Sequence, residues 1–188
     1  TKYTDEEIEE LNSYIDPKRD LLFDYAGFEL MKKMYLAKNR GDIVELPQHM
    51  HMSIAMFAMQ DENKEKRLQY IKEYYDITSK LEFVNATPIN ANARLSMGSY
   101  ISCILVSVGD STDRIMDIAK EVAFASKQGS GVGIDIARIR SVGSSIGYHT
   151  NAAGGKIPFM KIYNDIALAF DQNGKRQGAF ALNTESWD

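Results

Sequence analysis

An α/β fold, with a helical N-terminal region ahead of a parallel sheet, is what this sequence predicts, and three observations predict it. Apolar residues recur at helical spacing through roughly the first ninety positions. Residues 100–108 then form one continuous apolar run with β-branched members, the pattern of a buried strand. From there the order is strand, helix, strand, helix, which is that of a parallel sheet and its crossovers. The texture changes at Thr87-Pro88 to a loop rich in Asn, Ala and Gly. The expected division is a helical region over 1–85 and a sheet-bearing region over 86–188.

The elements follow in order. Thr4-Asp5-Glu6-Glu7 supplies capping side chains and first-turn acids ahead of Ile8 and Leu11, and Tyr25 to Leu36 continues at helical spacing. Pro47 suits the first turn of a helix to about Gln60, with Met50, Ile54, Phe57 and Ala58 on one side. Methionines between 50 and 59 read as core filler. Leu68, Ile71, Tyr75 and Ile77 mark another helix. After the apolar strand, Asp110-Ser111-Thr112-Asp113 starts a helix carrying Ile115, Ile118, Ala119 and Val122 and stopping at Gly129. A second strand is expected at 132–139. A small-residue loop over 141–155 and a helix from Pro158 to about Phe170 complete the series.

Composition narrows the function. The 188 residues carry 22 Lys plus Arg against 26 Asp plus Glu, a net charge of −4, with 44% hydrophobic and 26% charged positions. That is globular composition; it excludes disorder, collagen and coiled coil as global descriptions. The mild acidity leaves no electrostatic footprint for nucleic acid. Cys103 is the single cysteine, so no internal disulfide forms, and no run of about 18 apolar residues exists to cross a membrane. The expectation is a reduced, cytoplasmic chain without membrane or nucleic-acid partners. Its first residue is Thr and not Met, which implies processing, an upstream segment or a chosen boundary.

Several motifs admit two readings each. Gly129-Ser130-Gly131-Val132-Gly133 looks like a dinucleotide fingerprint, but that motif requires strand, glycines, helix. Here the order is helix, glycines, strand, so a helix C-cap is the better account. Asp110 stands where a strand feeds a helix, either as a cap or as a ligand for a ribose hydroxyl. The loop from Arg140 to Gly155 and the loop Asp171-Gln172-Asn173-Gly174-Lys175-Arg176-Gln177-Gly178 are rich in small or basic residues. They read as anion-binding backbone with phosphate-neutralising cations, or as solvated surface. Cys103, mid-strand among apolar neighbours, reads as an inert core thiol, and Ser102 faces the other way in a regular strand. His49 and His51 stand two positions apart, about 200° round a helix, so they do not chelate one metal together. His149 is isolated in a loop, and no metal site is expected.

Taken together, these pieces resemble the large, catalytic subunit of ribonucleotide reductase. The matching text, in family order, is Ala86-Thr87-Pro88; Ser102-Cys103 followed by Asp110-Ser111; Gly131-Val132-Gly133-Ile134; Ile139-Arg140 with Gly143-Ser144; Ile157 through Asn164; and Asp171-Gln172 through Lys175-Arg176 to Ala181. Tyr14-Ile15-Asp16-Pro17 and Arg67-Leu68-Gln69-Tyr70 resemble the helical region that precedes the barrel. The resemblance covers nearly the whole chain. It implies that the sheet is the first part of a ten-stranded α/β barrel, in an oxidoreductase of deoxyribonucleotide biosynthesis that supplies DNA replication.

The resemblance also implies roles. In that family a thiyl radical abstracts the ribose 3′ hydrogen and a cysteine pair supplies two electrons by becoming a disulfide; Cys103 matches one member of that pair. Thr87 and Ser102 match substrate-holding positions. Asp110, Ser111, Arg140 and Ser145 match the specificity site for ATP or a deoxynucleoside triphosphate at a dimer interface. Gln172, Lys175 and Arg176 match the loop that carries the effector's identity to the substrate base. Helices over 111–128 and 157–170 are the expected homodimer contact. No cofactor is bound directly: the radical comes from a metal-bearing small subunit, and thioredoxin or glutaredoxin restores the thiols.

One cysteine does not serve both as radical carrier and as redox pair, so the expectation is a fragment, inactive alone, that works with a companion chain carrying the rest of the large subunit. Asp188 stands where the family usually has histidine, and the N-terminal ATP-cone is not visible in these residues. The alternatives are a non-catalytic nucleotide-binding regulator and an interaction module that uses the dimer helices alone.

Overall fold

The computed structural model describes residues 2–95, 98–170 and 178–187. They form two compact units that divide between Tyr100 and Ile101. The division falls later than the change of texture at 86 because residues after Thr87 pack back onto the helices. Ile89 and Ala93 join the cluster of Met31, Leu36, Met50 and Ile54.

In the first unit, α1 (Asp5–Tyr14) opens with a capping box. Thr4 Oγ1 accepts from the Glu7 amide while the Glu7 carboxylate accepts from the Thr4 amide. A 3₁₀ turn (Pro17–Leu22) leads to α2 (Tyr25–Met34), capped by Asp24, then α3 (Pro47–Ala58) and α4 (Lys64–Ser79). α4 packs on both α1 and α3, around Leu11, Met52, Ala55, Ile71 and Tyr75. Met50 and Met52 are core filler, as their spacing predicts. Ala58 and Ile77 are exposed, since α3 ends at Ala58 and Ile77 lies on the outer side of α4.

The unit is also not wholly helical. β1 (Lys38–Asn39) and β2 (Asp42–Ile43) make an antiparallel hairpin. Both residues between them, Arg40 and Gly41, have positive φ, as a type I′ turn requires. The expected loop at 87 is a short helix, α5 (Thr87–Asn92), with Pro88 in its first turn.

The second unit holds β3 (Cys103–Ser107), β4 (Gly131–Asp135) and β5 (Phe180–Asn183), parallel and in that spatial order. Cys103 pairs with Gly131, and Gly133 with Leu105 and Ala181. The connections run through α6 (Thr112–Lys127) and α7 (Ile157–Ala169). Ile104, Val106, Val132, Ile134, Phe180 and Leu182 point into one core with Ile118, Val122 and Tyr163. The alternate residues do not. The expected buried strand over 100–108 is therefore corrected: only 103–107 pair as a strand, and Leu105 is 84% exposed, because α6 and α7 cover one face of the sheet. The strand expected at 132–139 stops at Asp135, whose carboxylate accepts the Ala137 amide and turns the chain. β5 was not expected at all. No helix among the described residues is long and apolar enough to cross a membrane.

α6 ends in a Schellman motif. The Ser130 amide bonds to Ala125 O and the Gly129 amide to Ser126 O, with Gly129 at φ 89°. That φ is strained for any residue with a Cβ, so Gly129→Ala is expected to lower stability by about 1–2 kcal/mol, read as a lower urea midpoint at unchanged slope. A second expectation concerns His51, buried against Phe23 with its ring stacked on the phenyl. Burial pushes its pKa from 6.5 down to about 4, the Arg94 guanidinium adds to the depression and Glu45 opposes it. The unfolded chain therefore takes up a proton before the folded one does. Stability is whole above pH 6.5 and is lost by on the order of 3 kcal/mol as pH falls from 6.5 to 4. Urea titrations across that window check this, with His51→Phe expected to flatten the dependence.

Candidate functional site

Alternation on the three strands fixes which side chains share the open face. Cys103, Leu105 and Ser107 from β3 stand beside Gly131, Gly133 and Asp135 of β4, and Ala181 and Asn183 of β5 follow. The first rung, Cys103 beside Gly131, is small; on the next, the Leu105 side chain lies over Gly133, its Cδ2 2.6 Å from where a Cβ there would stand. Cys103 is exposed there, which corrects its reading as a core thiol. Ser102 precedes the first strand residue, so strand alternation does not bind it. Its hydroxyl turns to within 3.7 Å of the Cys103 sulfur instead of facing away. At the far end of the same face, the Ser107 hydroxyl donates to Asp135 Oδ2 at 3.0 Å. The Ala137 amide, then this hydroxyl, hold the Asp135 carboxyl below its usual range, so it stays ionised. No motif marks this polar row; its signal in the sequence is the phase of Gly131, Gly133 and Asp135.

A second arrangement lies where β3 feeds α6. Arg140 Nε donates to Asp110 Oδ2 at 2.7 Å and its own amide to Asp110 Oδ1 at 3.1 Å. Arg140 Nη1 reaches Ser145 O at 2.9 Å. Asp110 is thus an ion-pair partner and not the helix cap; the cap is Ser111, whose hydroxyl accepts the Arg114 amide. Ser145 contributes its carbonyl. The expected loop over 141–155 folds back on itself: Gly143 and Ala153, Ser144 and Ala153, and Ile146 with His149 are joined by backbone hydrogen bonds. Together these segments enclose a cavity of about 170 Å³, with Asp110, Ser111 and Arg140 at its rim, Ile115, Ile139 and Phe159 beneath, and Gly154 and Gly155 as backbone wall. Polar rim, helix N-terminus and apolar floor suit one end of an amphipathic anion.

Thr87, the first residue of α5, belongs to the helical unit. Its hydroxyl lies 3.4 Å from that of Tyr35. α5 is held by Arg94, which donates to Asn90 O at 2.5 Å and Tyr35 O at 2.7 Å and forms a buried ion pair with Glu45. Gln172, Lys175 and Arg176 lie outside the described residues. His49 is exposed and His51 buried on the same helix. Among the described residues no group of three His, Cys, Asp or Glu side chains could hold a metal ion. The outer faces of α6 and α7 leave Met116, Phe124, Ile162 and Leu168 exposed.

Comparison with known proteins follows this division. Residues 21–98 match the family described as ribonucleotide reductase, all-alpha domain, and residues 101–188 match ribonucleotide reductase, barrel domain. The chain is 45% identical over 182 residues to the ribonucleoside-diphosphate reductase subunit alpha of Helicobacter pylori strain 26695, covering 96% of this chain and 23% of that protein. It is 34% identical over 191 residues to the ribonucleoside-diphosphate reductase 1 subunit alpha of Escherichia coli K12, covering 98% of this chain and 25% of that protein. The Arabidopsis thaliana large subunit is 36% identical over 179 residues, 94% of this chain and 21% of that one. The chain thus spans about a quarter of the length of these relatives.

The open face makes a direct expectation. In the native chain Cys103 reacts with a disulfide reagent such as DTNB at a rate close to that of the urea-unfolded chain. Protection by orders of magnitude places the sulfur in a core instead.

Proposed function

The chain belongs to the ribonucleotide reductase large-subunit family, and on that premise we propose that it supplies an electron-donating thiol and an effector pocket to that catalytic subunit. The observation that carries the proposal is Cys103, exposed on a sheet face whose neighbouring rung, Gly131, has no side chain. That leaves room for a sugar beside sulfur.

In the proposed reaction a thiyl radical carried elsewhere in the subunit removes the ribose 3′ hydrogen. Cys103 and a second thiol from the companion chain then lose two electrons and two protons as their disulfide forms, the 2′ hydroxyl leaves as water, and the abstracted hydrogen returns to C3′, which regenerates the thiyl radical. Thioredoxin or glutaredoxin reduces that disulfide for the next turn. Ser102, 3.7 Å from the sulfur, and Thr87 hold the ribose and phosphate of the substrate. A metal-bearing small subunit generates the radical, and the assembly works in the cytoplasm.

The cavity beside Asp110 takes the sugar end of ATP or a deoxynucleoside triphosphate. Arg140 exchanges its hydrogen bonds to Asp110 and Ser145 for the anionic ligand. This pair is partly solvated, each side chain 35% exposed, so its exchange costs little compared with a buried pair. Gln172, Lys175 and Arg176 pass the identity of the bound nucleotide toward the substrate. The exposed apolar residues of α6 and α7 pack across a two-fold axis in a homodimer. A second reading is favoured by the fact that every described residue lining this cavity belongs to the second unit: a nucleotide-binding regulator without the chemistry.

Mixing the chain with a companion polypeptide carrying the rest of the large subunit, the small subunit and thioredoxin tests both. Deoxynucleotide is expected only from the mixture, and Cys103→Ser abolishes it. Turnover that survives Cys103→Ser defeats the catalytic assignment. Calorimetry with deoxynucleoside triphosphates is expected to show binding that Arg140→Ala weakens by about tenfold or more, the loss of a charge-assisted hydrogen bond. Binding without turnover selects the regulator; no binding defeats the effector pocket.

A further inference from the structure

The helical unit contains a second pocket that the reductase reading does not use. Its volume is about 100 Å³, and its walls are largely apolar: Met31, Leu81, Phe83 and Val84 line it. His51 and Asn90 line it too, at 7% and 6% exposure. Neither ring nitrogen of His51 has a hydrogen-bond partner, and neither does Asn90 Oδ1. The other polar side chains of the lining are satisfied: the Thr78 hydroxyl donates to Tyr74 O and Asn85 Oδ1 accepts the Tyr74 hydroxyl. Three unpaired polar atoms on the side chains of one small pocket call for an explanation, since buried groups of this kind are nearly always paired.

The chemistry of an occupant follows from the lining. Burial keeps His51 neutral well below its ordinary pKa, so one ring nitrogen donates and the other accepts. Its ring is stacked on Phe23. Asn90 Oδ1 accepts only, while its amide nitrogen already faces Asn85 O at 3.5 Å. No acid or base other than neutral His51 lines the pocket, which rejects a charged ligand. Water would satisfy the three atoms but leave the apolar walls wet. A hydroxyl on an apolar body serves better: it accepts from the His51 N–H and donates to Asn90 Oδ1.

We propose that this pocket binds a small neutral molecule with an apolar body and one hydroxyl, of the size and chemistry of phenol. The apolar body rests against Met31, Leu81 and Phe83, and the hydroxyl meets His51 and Asn90 at the floor. Tyr35 also lines the pocket, and its hydroxyl faces Thr87, so an occupant sits directly behind the turn that carries Thr87.

Titration of the 188-residue chain with phenol and, separately, benzene tests this by calorimetry and by NMR of the histidine rings. Phenol is expected to saturate one site, to shift the His51 ring resonances and not those of His49 or His149, and to bind about tenfold tighter than benzene, the ratio given by one or two hydrogen bonds. His51→Phe keeps the stack on Phe23 and is expected to bring the two ligands to equal affinity; Asn90→Leu narrows the ratio as well. Equal affinity of phenol and benzene for the unsubstituted chain overturns the proposal. So does phenol binding that leaves the His51 resonances unmoved, or no saturable binding at all, which assigns the pocket to solvent. If either variant fails to fold, the comparison of ligands on the unsubstituted chain decides alone. None of these readouts depends on reductase activity.

Discussion

Everything in the second unit depends on one geometric constraint: successive residues of a strand point to opposite faces, and the described residues cover only one of them. Val132 and Ile134 must meet α6 and α7 to bury their side chains. Once they do, Cys103, Leu105 and Ser107 have no choice of side. The glycines of β4 then matter by what they lack. With Gly131 beside Cys103, the open face has room next to the sulfur; a valine on that rung would fill it. A single-residue slip in register would send the thiol into the core and the isoleucines to the surface.

The ionic contacts of the two units differ in kind. In the helical unit Arg67 with Glu7 and Arg94 with Glu45 are nearly enclosed, and each arginine also makes a second contact, Arg67 over the Tyr3 ring and Arg94 to backbone carbonyls. Such pairs are costly to break because the partner left behind is a buried charge. They fix α1 to α4, and the hairpin to α2 and α5, and so hold Thr87. Asp110 and Arg140 stand in partial contact with solvent. Water can take up what a ligand displaces there. An exchangeable pair at a helix N-terminus and rigid pairs in the scaffold are the electrostatic division expected of a site that must rearrange and a frame that must not.

Legibility varied with the locality of the signal. The capping box at Thr4 and Glu7 and the Gly129 terminus of α6 depend on residues within five positions, and both could be read directly. The hairpin was hidden because its turn is Arg40-Gly41, which lacks the asparagine that usually marks a type I′ turn. β5 was hidden because four residues give too short an alternation, and its pairing partner β4 lies far back in the chain. α5 was hidden by its length and by an Asn-rich composition that also suits loops. Among the proposed site residues, the proximity of Asp110 and Arg140 was implied by family likeness, whereas the row of Ser107 and Asp135 followed only from strand register.

By itself the sequence determined the family, the helical start, the α6 and α7 crossovers and the single thiol, because each is written in local periodicity, capping chemistry or ordered motifs. Tertiary structure alone decided that α6 and α7 cover one side of the strand carrying this thiol and leave the sulfur exposed, that Ser102 turns toward it, and that Asp110 binds Arg140 and not its own helix. It also decided that His51 and Asn90, thirty-nine positions apart in sequence, share one pocket with their polar atoms unpaired. The physical reason is common to all four: burial and side-chain direction are set by what folding places alongside, and even the adjacent Ser102 and Cys103 take their directions from where the strand begins.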